Sequence, residues 1–187
     1  MKIIGIGGTN GSGKDSLGQF LQDNYGWLFV SVTDILRDAL RQQNLPIERE
    51  NLRNLSALWR RESGLGILVD KAADIFKKSG GKYKGLAIAS LRNPGEADLV
   101  HELGGKVVWT DADPKIRYAR IYSRARGTED QKTFEKFLAE EKEEMDHSGD
   151  EATLNMDGVK EKADIFILNN TDNIEEFKAQ IIKSLGL

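Results

Sequence analysis

The segment Gly8-Thr9-Asn10-Gly11-Ser12-Gly13-Lys14 constrains this chain more than any other, because of what stands on either side of it. Before it runs Lys2 to Gly7 (KIIGIG), a short β-branched apolar stretch of the kind covered on both faces of a parallel sheet. After it comes a helical pattern from about Gly13 to Asn24, with Leu17, Phe20 and Leu21 at i, i+3 and i+4 on one face. Between strand and helix the spacing fits G-x-x-x-x-G-K, and that spacing has a chemical reason. Glycines let the backbone curl until successive N–H groups point inward at phosphate oxygens. Lys14 then reaches the outer phosphates of a nucleoside triphosphate, and the helix N-terminus adds partial positive charge. The motif therefore predicts ATP binding by Gly8, Asn10, Gly11, Ser12, Gly13, Lys14, Asp15 and Ser16.

The rest of the chain repeats the alternation of strand and helix. Leu28 to Val32, Leu86 to Leu91, Lys106 to Thr110 and Ala163 to Leu168 read as further buried strands. From Thr33 to Gly80 the pattern is helical, with Thr33 or Asp34 as the cap of a helix that begins Ile35-Leu36-Arg37. Pro94 opens a helix, Asp113-Pro114 another, and Gln131 to Met145 reads as a charged amphipathic one. Asp146 to Lys162 reads as irregular, and Ile174 to Leu185 as the closing helix. Alternation of this kind predicts a five-stranded parallel sheet with helices on both faces, a three-layer α/β fold of the P-loop NTPase type. At 187 residues the chain suits one domain, with helical excursions at about 34–80 and 120–150.

Composition excludes several chemistries. No cysteine is present, so disulfides, thiolate metal sites and cysteine nucleophiles are ruled out. The two histidines, His101 and His147, lack any ligand spacing and read as surface residues. A formal net charge of −3 lacks the broad basic face of a duplex binder, so no nucleic-acid partner is expected. No stretch approaches the roughly 20 apolar residues that span a bilayer, and Met1 to Gly8 is too short for the apolar core of a secretion signal. The expectation is a cytoplasmic protein, monomer or homodimer, whose partners are small nucleotides.

In open parallel sheets, ligands bind beyond the carboxyl ends of the strands. Strand two is followed by Asp34 and Arg37, strand three by Ser90-Leu91-Arg92-Asn93. Strand four is followed by Asp111 and Asp113, then Arg117, Arg120, Arg124 and Arg126. Such a concentration of arginine opposite a phosphate loop suits phosphoryl transfer, which depends on positioning and charge neutralisation more than on covalent chemistry. One position departs from the motif: Asp15 stands where Ser or Thr usually offers a hydroxyl to Mg²⁺. Its carboxylate is a hard oxygen ligand and the expected metal contact; the competing reading is that it caps or salt-bridges the helix start. Among the aromatic residues Trp59, beside Arg60 and Arg61, is the candidate for stacking on a base.

These pieces together resemble the nucleoside monophosphate kinase group. Ser31 to Arg37 resembles the adenylate kinase segment that ends in an arginine gripping the acceptor phosphate. Leu91-Arg92-Asn93-Pro94-Gly95-Glu96, followed by Gly104-Gly105 and a strand, resembles phage-type deoxynucleoside monophosphate kinases and archaeal adenylate-kinase-like proteins, which also tolerate Gly-Lys-Asp in the phosphate loop. Ala163-Asp164-Ile165 to Asn169-Asn170 is similar to the last strand of these proteins and of dephospho-coenzyme A kinases. The resemblance implies a nucleotide kinase using ATP and Mg²⁺. It places Arg37 and Arg92, with Asp34, at the acceptor, and Arg120, Arg124 and Arg126 in a lid over ATP. Lys14, Arg92, Arg124 and Arg126 would stabilise the transferring group. Relatives often end strand three with a metal-supporting aspartate, whereas this chain has Ala89 and Ser90 there; Asp15, Asp34 or Asp111 would compensate. Two alternatives stay open: a dephospho-coenzyme A kinase-like activity with Asp34 as base, and a nucleotide-binding regulatory protein with weak hydrolysis.

Overall fold

The computed structural model describes residues 2–124, 132–145 and 149–187, with Arg124 described by its backbone alone. Five parallel strands form one sheet: β1 (Ile3–Gly8), β2 (Leu28–Ser31), β3 (Leu86–Ala89), β4 (Lys106–Asp111) and β5 (Ile165–Leu168), in the order β2-β3-β1-β4-β5. β1 lies at the centre, with Ile6 opposite Ala89 of β3 and Val108 of β4. All six of its residues are buried, which is why its sequence is continuously apolar rather than alternating.

Alternate residues of the strands supply two cores. Ile4, Ile6, Ala87, Val108 and Ile167 meet α1 (Lys14–Tyr25) and α9 (Ile174–Leu185) through Leu17, Leu21, Phe177 and Ile181. The other face carries Ile3, Val30, Ile88, Val107 and Trp109. It is covered by α2 (Val32–Gln42), α3 (Arg49–Ser63), α4 (Ile67–Lys78), α5 (Pro94–Glu102) and the short α8 (Met156–Glu161). α6 (Pro114–Arg124) and α7 (Phe134–Met145) lie beyond the carboxyl end of β4. The expected sheet and three layers are therefore present.

Several local readings change, β3 among them, which ends at Ala89 and not at Leu91. β2 ends at Ser31, and Val32 already belongs to α2. Met156–Glu161, within the stretch read as irregular, is a helix capped by the Asn155 side chain, which accepts from Gly158 N at 2.8 Å. Met156 and Val159 are buried against the sheet, so tertiary packing sustains a helix too short to persist alone. Among the described residues, no helix is long and apolar enough to cross a membrane.

Candidate active site

The sheet order makes β1 a switch point, flanked by β3 on one side and β4 on the other. A crevice opens there past the strand ends. The glycine-rich loop fills the floor of that crevice, and the backbone it needs is visible at two positions. Gly8 has φ +141° and no room for a side chain beside the Thr110 carbonyl on β4. Gly13 has φ +102°, and an added Cβ would lie 2.7 Å from Asn169 Nδ2. Both are in left-handed conformations that L side chains rarely adopt.

Neighbouring strands brace the loop. Thr9 Oγ1 donates to Asp111 Oδ1 at 2.7 Å, and the Ser12 and Thr110 hydroxyls bond at 2.8 Å. Asn169 Nδ2 donates to Ser12 O at 2.9 Å. Arg120 donates to Asn169 O (3.0 Å) and Thr171 O (2.6 Å), tying α6 to the segment after β5. Lys14 Nζ folds back onto Thr9 O at 2.6 Å. Burial, reinforced by the Arg92 and Arg117 guanidinium groups, lowers its pKa to about 8, against the opposing pull of Asp15 and Glu144.

The cavity above the loop is large, about 1140 Å³. That exceeds the usual range for one small ligand, roughly 300–1000 Å³, and leaves room for a donor and an acceptor together. Asn10, Gly11, Gly13, Lys14, Asp15 and Ser16 line one side. Asp34, Arg37, Ser90 and Arg92 line the other, and Arg120 completes the rim. Gly8 and Ser12 sit behind the loop surface, where they shape it instead of facing the cavity. Asp34 and Arg37 pair with each other at 2.9 Å.

Arg92 is held by an unusually complete local network. Asn93 caps α5, accepting from Gly95 N at 2.9 Å, and Glu96 reaches back to the Arg92 and Asn93 amides at 2.7 and 3.2 Å. The other oxygen of Glu96 accepts from Arg60 Nε and Nη2 at 3.2 and 2.7 Å. Arg60 and Glu96 are both buried, their side chains 1% and 0% exposed. Replacing Arg60 with Met would leave the Glu96 carboxylate buried against two amides without its counter-charge. The expected loss is about 3–5 kcal/mol of unfolding free energy, read from the urea midpoint. A loss below about 1 kcal/mol would show that the pair is structurally dispensable.

Several expected residues take different places. Arg117 lies behind the site: it is buried, pairs with Glu141 and donates to Ala112 O at 2.7 Å. Asp111 is engaged by Thr9 Oγ1 and by Ala112 N at 2.8 Å, so it braces the loop. Trp59 does not line the cavity; it packs on the core with Lys71 Nζ 4.2 Å from its ring centroid. His101, by contrast, is the surface residue expected, 2.9 Å from Asp164 Oδ2. The Arg124 side chain, Arg126 and His147 lie outside what the structure describes.

Other cavity residues escaped the sequence reading. Arg49, Arg53 and Arg60 stand on α3 at spacings of four and seven, one stripe of the helix, and Glu144 ends α7 opposite them. The stripe was legible as an i, i+4, i+11 repeat of arginine, but nothing local marked its partner across the cavity.

Among the described residues, no group of three or more His, Asp and Glu side chains is placed to hold a metal ion by itself. Asp15 and Ser16 supply oxygen donors on the loop side of the cavity, and Asp34 one on its wall. Hard oxygens of this kind suit Mg²⁺, which commonly takes one or two protein ligands and fills its octahedron with phosphates and water.

A family model described as an AAA domain matches residues 4–146. A UPF0200 protein of Pyrococcus abyssi is 30% identical over 96% of this chain and 92% of its own. Among solved structures, shikimate kinase from Bacteroides thetaiotaomicron superposes with a TM-score of 0.60 at 12% identity, covering 97% of this chain and 94% of that one. A gluconokinase from Sinorhizobium meliloti gives 0.53 at 14% identity, covering 99% and 91%. Likeness at such identities establishes the fold alone, an α/β P-loop NTPase fold.

Proposed function

The chain belongs to the AAA-domain family, and from that membership we propose that it is a small-molecule kinase moving the γ-phosphoryl group of ATP to a phosphorylated acceptor, a nucleoside monophosphate first. The observation that carries this reading is the shared cavity: the phosphate loop and an arginine-bearing wall face each other across space for two ligands.

The chemistry follows from the placement. Loop amides and the start of α1 would hold the β- and γ-phosphates, and Lys14 would leave the Thr9 carbonyl for them. Arg92, fixed by its bonded backbone, would hold the acceptor's phosphate in line with the γ-phosphorus, with Arg37 at the far side. Asp15 with Ser16 would hold Mg²⁺, which would supply neutralisation of phosphate charge there. Water is the competing acceptor, so the enclosing helices α3 and α7 would matter for efficiency as well as binding. An anionic phosphate acceptor needs no general base.

A second reading takes a hydroxyl acceptor. It is favoured by Asp34, a carboxylate on the cavity wall able to accept the hydroxyl proton, and by the structural neighbours, which are kinases for shikimate and gluconate by their names. A panel of nucleoside monophosphates, dephospho-coenzyme A and sugar acids incubated with Mg·ATP separates the two. ADP and a phosphorylated product from a monophosphate support the first, product from a hydroxyl acceptor supports the second, and ATP binding without acceptor-stimulated turnover removes both in favour of a binding protein. Asp15→Ala tests the metal contact. It should weaken the Mg²⁺ dependence of ATP binding about tenfold, and an unchanged Mg²⁺ titration would exclude Asp15.

A further inference from the structure

One carboxylate on the cavity wall is shared by three guanidinium groups. Glu144, in the last turn of α7, accepts from Arg92 Nη1 at 2.8 Å and from Arg53 Nη2 at 3.2 Å, and lies 3.8 Å from Arg49 Nη1. Its side chain is only 11% exposed. The arginines outweigh the effect of burial and hold its carboxyl at a pKa of about 2. All four residues line the cavity that the phosphate loop opens into. Arg92 and Glu144 both act electrostatically on Lys14, so the cluster stands beside the end of the loop. Arg49 also pairs with Glu140 at 2.7 Å, while Arg53 has Glu144 as its acid partner.

Among the described residues the charges around Glu144 do not balance: with Glu140 and its partner Lys132 counted, four cations meet two carboxylates. A carboxylate has one negative charge and two oxygens for three forked donors, each able to bond two oxygens. A phosphate monoester dianion has two charges and three terminal oxygens, a closer match in both respects. We propose that Arg49, Arg53 and Arg92 form a binding site for a phosphate monoester dianion, and that Glu144 is its internal occupant until such a ligand displaces it. The kinase reading is needed only for what that phosphate is attached to. Exchange of one anion for another keeps a shared counter-charge on three partly exposed guanidinium groups, and the released carboxylate, 11% exposed where it stands, recovers its hydration. Monoanions would gain little, because they offer no more charge than the residue they replace. The site would therefore select for dianions by competition with its own chain.

Inorganic phosphate is the probe. Calorimetric titration into wild type, Glu144→Gln and Glu144→Gln/Arg53→Gln should give at least tenfold tighter binding in the single variant. The added Arg53 substitution should return most of that gain. Glu144 also acts on Lys14, so the loss of Glu144 alone does not separate the cluster from the glycine-rich loop. Arg53 is not among the charges named as acting on Lys14, so reversal of the gain by Arg53→Gln isolates the arginine cluster. Acetate, a monoanion, should show less than a third of the gain. Glu144→Gln within twofold of wild type, or a gain that survives loss of Arg53, would overturn the proposal. If Glu144→Gln does not fold, Glu144→Asp, whose shorter carboxylate draws back from the arginines, replaces it, with a gain of about threefold or more that Arg53→Gln again returns. Acceptor-dependent transfer is scored separately. A phosphate gain without transfer keeps the site and removes the kinase reading, whereas transfer without a gain overturns this proposal and leaves the kinase reading standing.

Discussion

Lys14→Met should lower acceptor-dependent ATP turnover by about a thousandfold, with the fold unchanged by circular dichroism. Removing one charged stabiliser from a phosphoryl-transfer site costs on the order of 10²–10³ in rate, and Lys14 is the cation nearest the loop amides. A loss below about tenfold would mean the loop does not serve transfer. The same lysine predicts a pH dependence. Burial and the neighbouring Arg92 and Arg117 lower its pKa to about 8 in the empty protein. Above that pH the amine is neutral and no longer attracts phosphate, so ATP affinity in the wild type should fall as pH rises from about 8 toward 10. Lys14→Met, already without the charge, should show no such decline. Stability moves in the opposite direction. The folded pKa lies below the unfolded value of 10.5, so the unfolded chain binds more protons in that window, and this group's contribution to stability rises with pH between about 8 and 10.5.

Arg92→Ala should lower kcat/KM for a phosphorylated acceptor by about a thousandfold while ATP affinity changes by less than about threefold. The asymmetry follows from position. Arg92 lines the cavity 2.8 Å from the Glu144 carboxylate, where the proposed acceptor would sit, whereas the loop amides and Lys14 would hold the donor. A bidentate guanidinium on a dianion is among the stronger charge-assisted contacts, and its loss is felt most in the transition state, where alignment matters. The substitution carries a second signature. Arg92 is the largest of the charges that lower the Lys14 pKa, so the alkaline fall in ATP affinity should begin at a higher pH than in wild type. Equal losses of ATP and acceptor binding, with the alkaline fall unmoved, would show that Arg92 only supports the fold.

The parts legible in the sequence were those set by local pattern. β1, the glycine-rich turn and α1 could be read because apolar period, glycine placement and helical face are all encoded within about 25 residues. The capping sequence Asn93-Pro94-Gly95-Glu96 announced the start of α5 in the same way. Arg117 was misleading for a physical reason. Its neighbours in the chain place it on a strand-four helix beside Arg120, but only the arrival of Glu141 from α7 makes it a buried, paired residue. Trp59 failed as a stacking residue because α3 turns that face to the core and presents Arg49, Arg53 and Arg60 to the cavity instead.

Sequence alone determined that this chain makes a parallel sheet with a phosphate loop at the end of its first strand, since hydrophobic period and glycine spacing are properties of neighbouring residues. Tertiary structure decided which arginines share the cavity and what they do there. Arg53 and Glu144 lie 91 positions apart, Arg92 and Glu144 52 apart. Charges so distant in sequence meet only when packed helices bring them together, and the low dielectric of that packed wall is what turns a surface-looking glutamate into the counter-ion of three arginines.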